Sequence, residues 1–283
     1  MRILKKLTVI LISLVIFLDL FAIGFSVFVK RRVLNAEYYL GVFKSNNLYI
    51  HIKDLILKDL KAVALENNLS SDILNGLVDE KMIEDNIKRL TYGTVDYFLK
   101  VEDTLPKPNL SLAQVVKRDV EDYFVKRGFK INSLLKNEIE GIGDEINTLV
   151  ENHIMFLNLG GLENNKYLIF ARDVLNNVYR NINIYIMVML ISLSVLFLTS
   201  KQDALNVLSA VFEVAGITLS VPLYTLYFMK YIQNISIGDE IYKKVVVDLL
   251  NGSILYLANL GVFLIVLGFL FYLFSEFLNK KGA

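Results

Sequence analysis

Four long apolar runs constrain this chain more than any motif in it. They are 7–29, 182–199, 204–229 and 251–278. Each is close to or above the roughly 20 residues that a helix needs to cross about 30 Å of hydrocarbon. Within 283 residues, 54% of them hydrophobic, such runs select a membrane protein before any chemistry is considered. The expected class is an all-α integral membrane protein. Four transmembrane helices are expected, with a helical domain inserted between the first and second.

The first run follows Arg2, Lys5 and Lys6 and ends in Lys30-Arg31-Arg32. A secretory signal has an apolar core of about 7–15 residues and a small-residue cleavage site. This run is longer, and Ala36 after Asn35 is a poor cleavage position. Residues 1–32 therefore read as a tail and an uncleaved signal anchor.

Residues 33–181 form the one long polar region. Leu48, Ile52, Leu55, Ile56, Leu60 and Val63 recur at helical spacing. Ser70 or Ser71 is placed to start a short helix with Ile73, Leu74 and Leu77. Asp79 is placed to cap another that runs to Phe98. Pro106 and Pro108 predict an extended link, because proline has no N–H and disfavours helix in the residue before it. Further helices are expected over Leu112–Arg127 and Asn132–Leu159, with Gly160-Gly161 as the stop. A last helix is expected to begin near Glu163 and enter the membrane at Ile182 without a break. The region is large enough to bury its own core.

Residues 182–283 read as a three-span block. Ser200-Lys201-Gln202-Asp203 is short, which predicts a hairpin between the second and third spans. Residues 230–250 read as a connector. There Ile237, Ile241, Val245 and Leu249 form one stripe, as in an interfacial amphipathic helix.

Charge does not decide orientation by count. Arg2, Lys5, Lys6, Lys201, Lys280 and Lys281 stand on the side of the termini. Lys30, Arg31, Arg32, Arg180, Lys230, Lys243 and Lys244 stand opposite. A tiny basic N-terminal tail and short loops favour termini in the cytoplasm and residues 33–181 outside, since long domains translocate largely regardless of charge. Tyr185, Tyr227 and Tyr231 then fall at the outer interface and Tyr272 nearer the inner one. The expected location is a bacterial plasma membrane, abundant Lys, Ile and Asn with no Trp matching the usage of an AT-rich genome.

A net charge of +1 argues against a nucleic-acid partner. The absence of cysteine removes disulfides, thiolate metal sites and cysteine nucleophiles. His51 and His153 lie in no metal-ligand spacing, and Ser133, Ser192 and Ser194 lie in no nucleophile motif. No catalytic, cofactor-binding or metal residues are assigned, and no cofactor is expected.

Asp19 and Glu213 are the acids well inside a span. A carboxylate at the bilayer centre costs about 2.5–3.5 kcal/mol on insertion scales. Counting depth along each span puts Asp19, Glu213 and Asn259 at a similar level, a candidate intramembrane polar layer. Such a layer would either bind a cation or proton, or hold helices together through hydrogen bonds. Pro222 is a candidate helix kink. Ala22/Ser26, Gly216/Ser220 and Gly261/Gly268 bring small residues to helix faces, which allows close packing within a bundle.

Glu37-Tyr38-Tyr39 through Asn46-Asn47-Leu48-Tyr49, followed by Leu69-Ser70, resembles the start of the outer domain in certain uncharacterised membrane proteins of Gram-positive bacteria. Those have one anchor, a helical outer domain and a three-span C-terminal block. The resemblance implies that topology and carries no activity.

The expected function is non-enzymatic: structural, sensing or accessory, with residues 33–181 binding a protein partner or envelope component beside membrane lipid. The alternative is a small ion- or proton-linked transporter or channel that uses Asp19 and Glu213, as a homo-oligomer because four spans are few for a pathway.

Overall fold

Helix dominates because the sequence is punctuated by few breakers and carries almost no strand-like alternation. A computed structural model describes residues 2–74, 76–155 and 165–281. All regular structure among them is helical. In chain order the α-helices are α1 (Arg2–Phe28), α2 (Ala36–Ser45), α3 (Leu48–Glu66), α4 (Glu80–Phe98) and α5 (Leu112–Lys126). There follow α6 (Ser133–Ile154), α7 (Lys166–Arg180), α8 (Ile182–Ser200), α9 (Ala204–Phe228) and α10 (Glu240–Lys281). Four helical segments are long and apolar enough to cross a membrane: Ile3–Val33, Ile182–Ser200, Ala204–Phe228 and Glu240–Lys280. The chain divides into two compact units. One comprises residues 1–38 and 173–283, here the apolar unit; the other, Tyr39–Arg172, is the polar unit.

In the polar unit the helical stripe of α3 is buried: Leu48, Ile52, Ile56 and Leu60 are almost wholly covered. α3 packs on α4 and α6, and α5 packs on α6. Ile139, Ile146 and Val150 of α6 and Val116 and Val120 of α5 supply further buried surface. Asp79 caps α4 as its position predicts, accepting the Met82 N–H at 2.6 Å. Asn132 caps α6, accepting the Leu135 N–H at 2.9 Å. The proline link runs along α4. A Cβ at Gly93 would meet Pro106 Cβ at 2.8 Å, so the missing side chain lets the link lie against the helix. Arg89 fixes the link by donating to the Lys107 carbonyl at 2.7 Å.

The structure departs from the sequence expectations at several places. The short helix near Ser71 is a single 3-10 turn, Ser71–Ile73. α6 ends at Ile154, with Met155 in a turn; residues 156–159, Gly160-Gly161 and Glu163 lie outside the described residues. The run into the second span is interrupted at Asn181, a turn residue between α7 and α8. Asparagine competes for backbone hydrogen bonds and favours such junctions. No separate interfacial helix fills 230–250. A 3-10 turn covers Tyr231–Asn234, and Asp239 then caps α10, accepting the Ile241 and Tyr242 N–H groups at 2.9 and 3.0 Å. With no proline beyond it, α10 continues for 42 residues, about 63 Å at 1.5 Å per residue. The connector's second half is thus the beginning of the fourth span's helix.

The expected hairpin between the second and third spans is also corrected. α8 packs along α1, while α9 packs along α10. Lys201, at φ 45° and ψ −108°, turns the chain between α8 and α9 without laying one on the other. The stronger determinant is glycine. Cβ atoms at Gly216 and Gly261 would fall 2.5 Å and 2.8 Å from each other's carbonyl oxygens, so the two backbones touch. In hydrocarbon, where apolar area gives little drive for association, such close backbone approach is a main source of helix affinity.

Candidate functional site

α1 carries Asp19 one turn from Ile16 and beside Leu20, all three turned into the apolar unit. Asp19 is only 8% exposed, and its Oδ2 has no hydrogen-bond partner. A buried polar atom without a partner is costly, and in a native structure it marks a place that is strained or used. A carboxyl here can carry a proton, accept a hydrogen bond or ligate a cation.

Glu213 lies on α9, one turn after Ser209, whose hydroxyl donates to Glu213 Oε1 at 3.0 Å. The pair faces Gly268 of α10: a Cβ there would meet Glu213 Cγ at 2.7 Å. Asn259 sits elsewhere. Its Oδ1 accepts the Tyr224 hydroxyl at 2.6 Å. Residues 259 and 268 are separated by about 13 Å of helix, so Asn259 does not share the level of Glu213. The depth count from residue 251 misplaced it because α10 begins at Glu240 and glycine contacts set its register.

Asp19 is closer in depth to Glu213. Gly24 faces Leu260, with a Cβ at Gly24 meeting its side chain at 3.0 Å. Five residues back along α1, Asp19 lies about 7 Å deeper, near the level of Ile265 and Gly216. That is about one turn from Glu213. No hydrogen bond joins Asp19, Glu213 and Asn259 to one another among the described residues. Pro222 lies within α9, which remains one helix from Ala204 to Phe228; it is exposed and close in sequence to Tyr224.

Some structural partners carry no sequence signal. Tyr38 donates its hydroxyl to the Leu249 carbonyl at 2.7 Å and rests on Gly252. Arg32 lies over the rings of Tyr38 and Tyr256, at 4.3 and 5.0 Å. Lys30 lies over Tyr179. The Lys30-Arg31-Arg32 cluster therefore includes two residues stacked on aromatic faces, held on a π-helical turn, Val29–Val33, at the end of α1. Neither the Ser209–Glu213 pair nor the Tyr224–Asn259 pair was singled out from the sequence.

In the polar unit several charged groups are paired. Glu84 is held below the usual carboxylate range by its hydrogen bond with Lys88, and Lys88 is raised by the same contact. Lys117 and Glu140 bridge α5 and α6 and shift each other likewise. Burial pushes the Tyr49 hydroxyl up to about 12, with the Glu84 charge adding to the effect. His153 Nε2 lies 2.8 Å from Asp59 Oδ2, joining α6 to α3. Arg172 on α7 is held by several partners. It donates to the Tyr97 and Glu102 carbonyls, each at 2.7 Å, and to Asp103 at 3.3 Å, and it stacks on the Tyr97 ring at 4.2 Å. Arg172 was not singled out from the sequence, since a lone arginine on an amphipathic helix carries no distinguishing pattern.

No family model matches the chain, and neither a curated protein nor a solved structure does.

Proposed function

We propose that the chain is a multi-pass protein of a bacterial plasma membrane, anchored by an uncleaved first span, with termini in the cytoplasm. Its polar unit is inserted between the first and second spans, lies outside, and binds a protein partner or envelope component. The role is structural, sensing or accessory, without catalysis. The observation that carries this reading is Arg172. It fastens α7 to the end of α4 and the loop after it, and α7 then supplies residues to the apolar unit from Asp173 onward. A ligand that moves the 97–103 segment would act on α7 at Arg172.

A photo-crosslinking residue in place of exposed Asp103 tests it in living cells. The reading expects a discrete adduct with one envelope protein or with cell-wall polymer. Absence of adducts at Asp103 and at other exposed positions of the polar unit would contradict it.

A second reading is supported by the unpartnered Oδ2 of Asp19: a small oligomeric ion- or proton-linked transporter or channel using Asp19 and Glu213. Asp19→Asn and Glu213→Gln separate the two. Loss of ion flux in proteoliposomes with assembly intact favours transport. Failure of both variants to assemble favours packing.

A further inference from the structure

The turn between α5 and α6 is a built, outward-pointing tip. α5 ends in a Schellman cap: Phe129 N–H donates to the Phe124 carbonyl at 3.0 Å, and Gly128 N–H to that of Val125 at 2.9 Å. Gly128 takes φ +84°, the left-handed conformation this cap needs. The Phe124 and Phe129 rings meet edge to face at 5.7 Å, the apolar contact that accompanies the motif. Three residues after Phe129, the Asn132 cap starts α6. The backbone of the tip is therefore fixed at both ends.

What the tip displays is unusual for a water-facing turn. Val125 is 57% exposed, Phe129 56%, Ile131 36% and Leu134 73%. Interleaved with them are Lys126, Arg127, Lys130 and Lys136, all exposed. From Tyr123 to Asn137 there is no acidic residue; the nearest are Asp122 and Glu138, behind the tip on the two helices. Beyond these, α5 carries both signs (Lys117, Arg118, Asp119, Glu121) and α6 carries acids and His153; Lys117 pairs with Glu140 between the two helices. Scattered exposed apolar side chains are ordinary. Four within ten residues, interleaved with four cations, are not.

We infer that the α5–α6 tip is a docking element for an anionic lipid surface, inserting Phe129, Ile131 and Leu134 among headgroups while Lys126, Arg127, Lys130 and Lys136 meet lipid phosphates. The composition favours this partner: four exposed cations without an acid among them suit an anionic surface, and a fluid interface closes around exposed apolar side chains. Basic side chains near an anionic leaflet are attracted, and apolar ones gain by burial at the headgroup boundary. The proposal is independent of the protein partner proposed above and of which side the polar unit occupies.

The chain lacks cysteine, so Leu134→Cys accepts a single polarity-sensitive fluorophore. The full-length protein is placed in phosphatidylcholine nanodiscs. Vesicles of phosphatidylcholine, or of phosphatidylcholine with 30% phosphatidylglycerol, are then added. A second arm puts phosphatidylglycerol in the nanodisc itself. The expected result is a blue shift with phosphatidylglycerol in at least one arm, none with phosphatidylcholine, and reversal in high salt. Replacing the four cations with glutamine should weaken binding by about fivefold per residue. A fluorophore at Leu65→Cys, exposed on α3, should not respond. No shift in either arm, an equal shift with phosphatidylcholine, or a shift unaffected by the glutamine variant would each overturn the proposal. So would a response to polyglutamate but not to vesicles.

Discussion

Gly216 and Gly261 meet backbone to backbone across α9 and α10: a Cβ on Gly216 would stand 2.5 Å from the Gly261 carbonyl oxygen. That contact accompanies the packing of α9 on α10 rather than on α8, against the expectation from loop length.

It makes a direct prediction. Gly216→Ala or Gly261→Ala inserts a methyl where the obstacle is backbone, and overpacking of this kind costs about 1–3 kcal/mol. Thermal unfolding in detergent should shift downward for both. Gly141→Ala is the control. It lies in α6 with nothing within 4 Å of a Cβ, and should stabilise by roughly 0.5–1 kcal/mol through the better helix propensity of alanine.

Tyr49 predicts an alkaline limit for the polar unit. Its hydroxyl is raised from 10.0 to about 12 by burial and the Glu84 charge. A group raised on folding contributes stability that is full below its unfolded value and lost as pH rises through the folded one. The loss therefore falls between pH 10 and about 12. Tyr49→Phe should flatten the stability profile in that window. An unchanged profile would show that Tyr49 ionises in the folded state as freely as in the unfolded one.

Arg172 predicts local rather than global loosening. Arg172→Ala leaves the Tyr97 and Glu102 carbonyls without their donor, and Arg172→Lys cannot reproduce the forked contacts and the stacking. Hydrogen bonds from a charged group are each worth about 1.5–3 kcal/mol. Amide exchange should quicken on the order of tenfold or more in the first half of α7 and the segment after α4. α3 should be unaffected.

Much of the fold was legible because periodicity and caps are local. The α3 stripe, the Asp79 cap, the start of α6 at Asn132 and the four apolar runs are each contained in one stretch of sequence. The misreadings concern contacts between stretches. Loop length suggested that α9 returns along α8, but glycine complementarity to α10 outweighs proximity in sequence. Depth counted along an isolated span put Asn259 beside Glu213, but register is set by the neighbouring helix, and Asn259 bonds Tyr224 instead. The break at Asn181 rests on one residue's hydrogen-bond competition, too small a signal against a continuous apolar pattern. At the candidate site, Asp19 was recognisable as an acid inside a span. Its unpartnered oxygen could not be foreseen, because that depends on what three other helices place beside it.

The proposed arrangement of the chain in its membrane is tested most directly by single-cysteine labelling, with no native cysteine to interfere. Asp103→Cys reports on the polar unit and Lys201→Cys on the turn between α8 and α9. In intact cells a membrane-impermeant maleimide should label Asp103→Cys at once and Lys201→Cys only after permeabilisation. Labelling of Lys201→Cys with protection of Asp103→Cys would contradict the account.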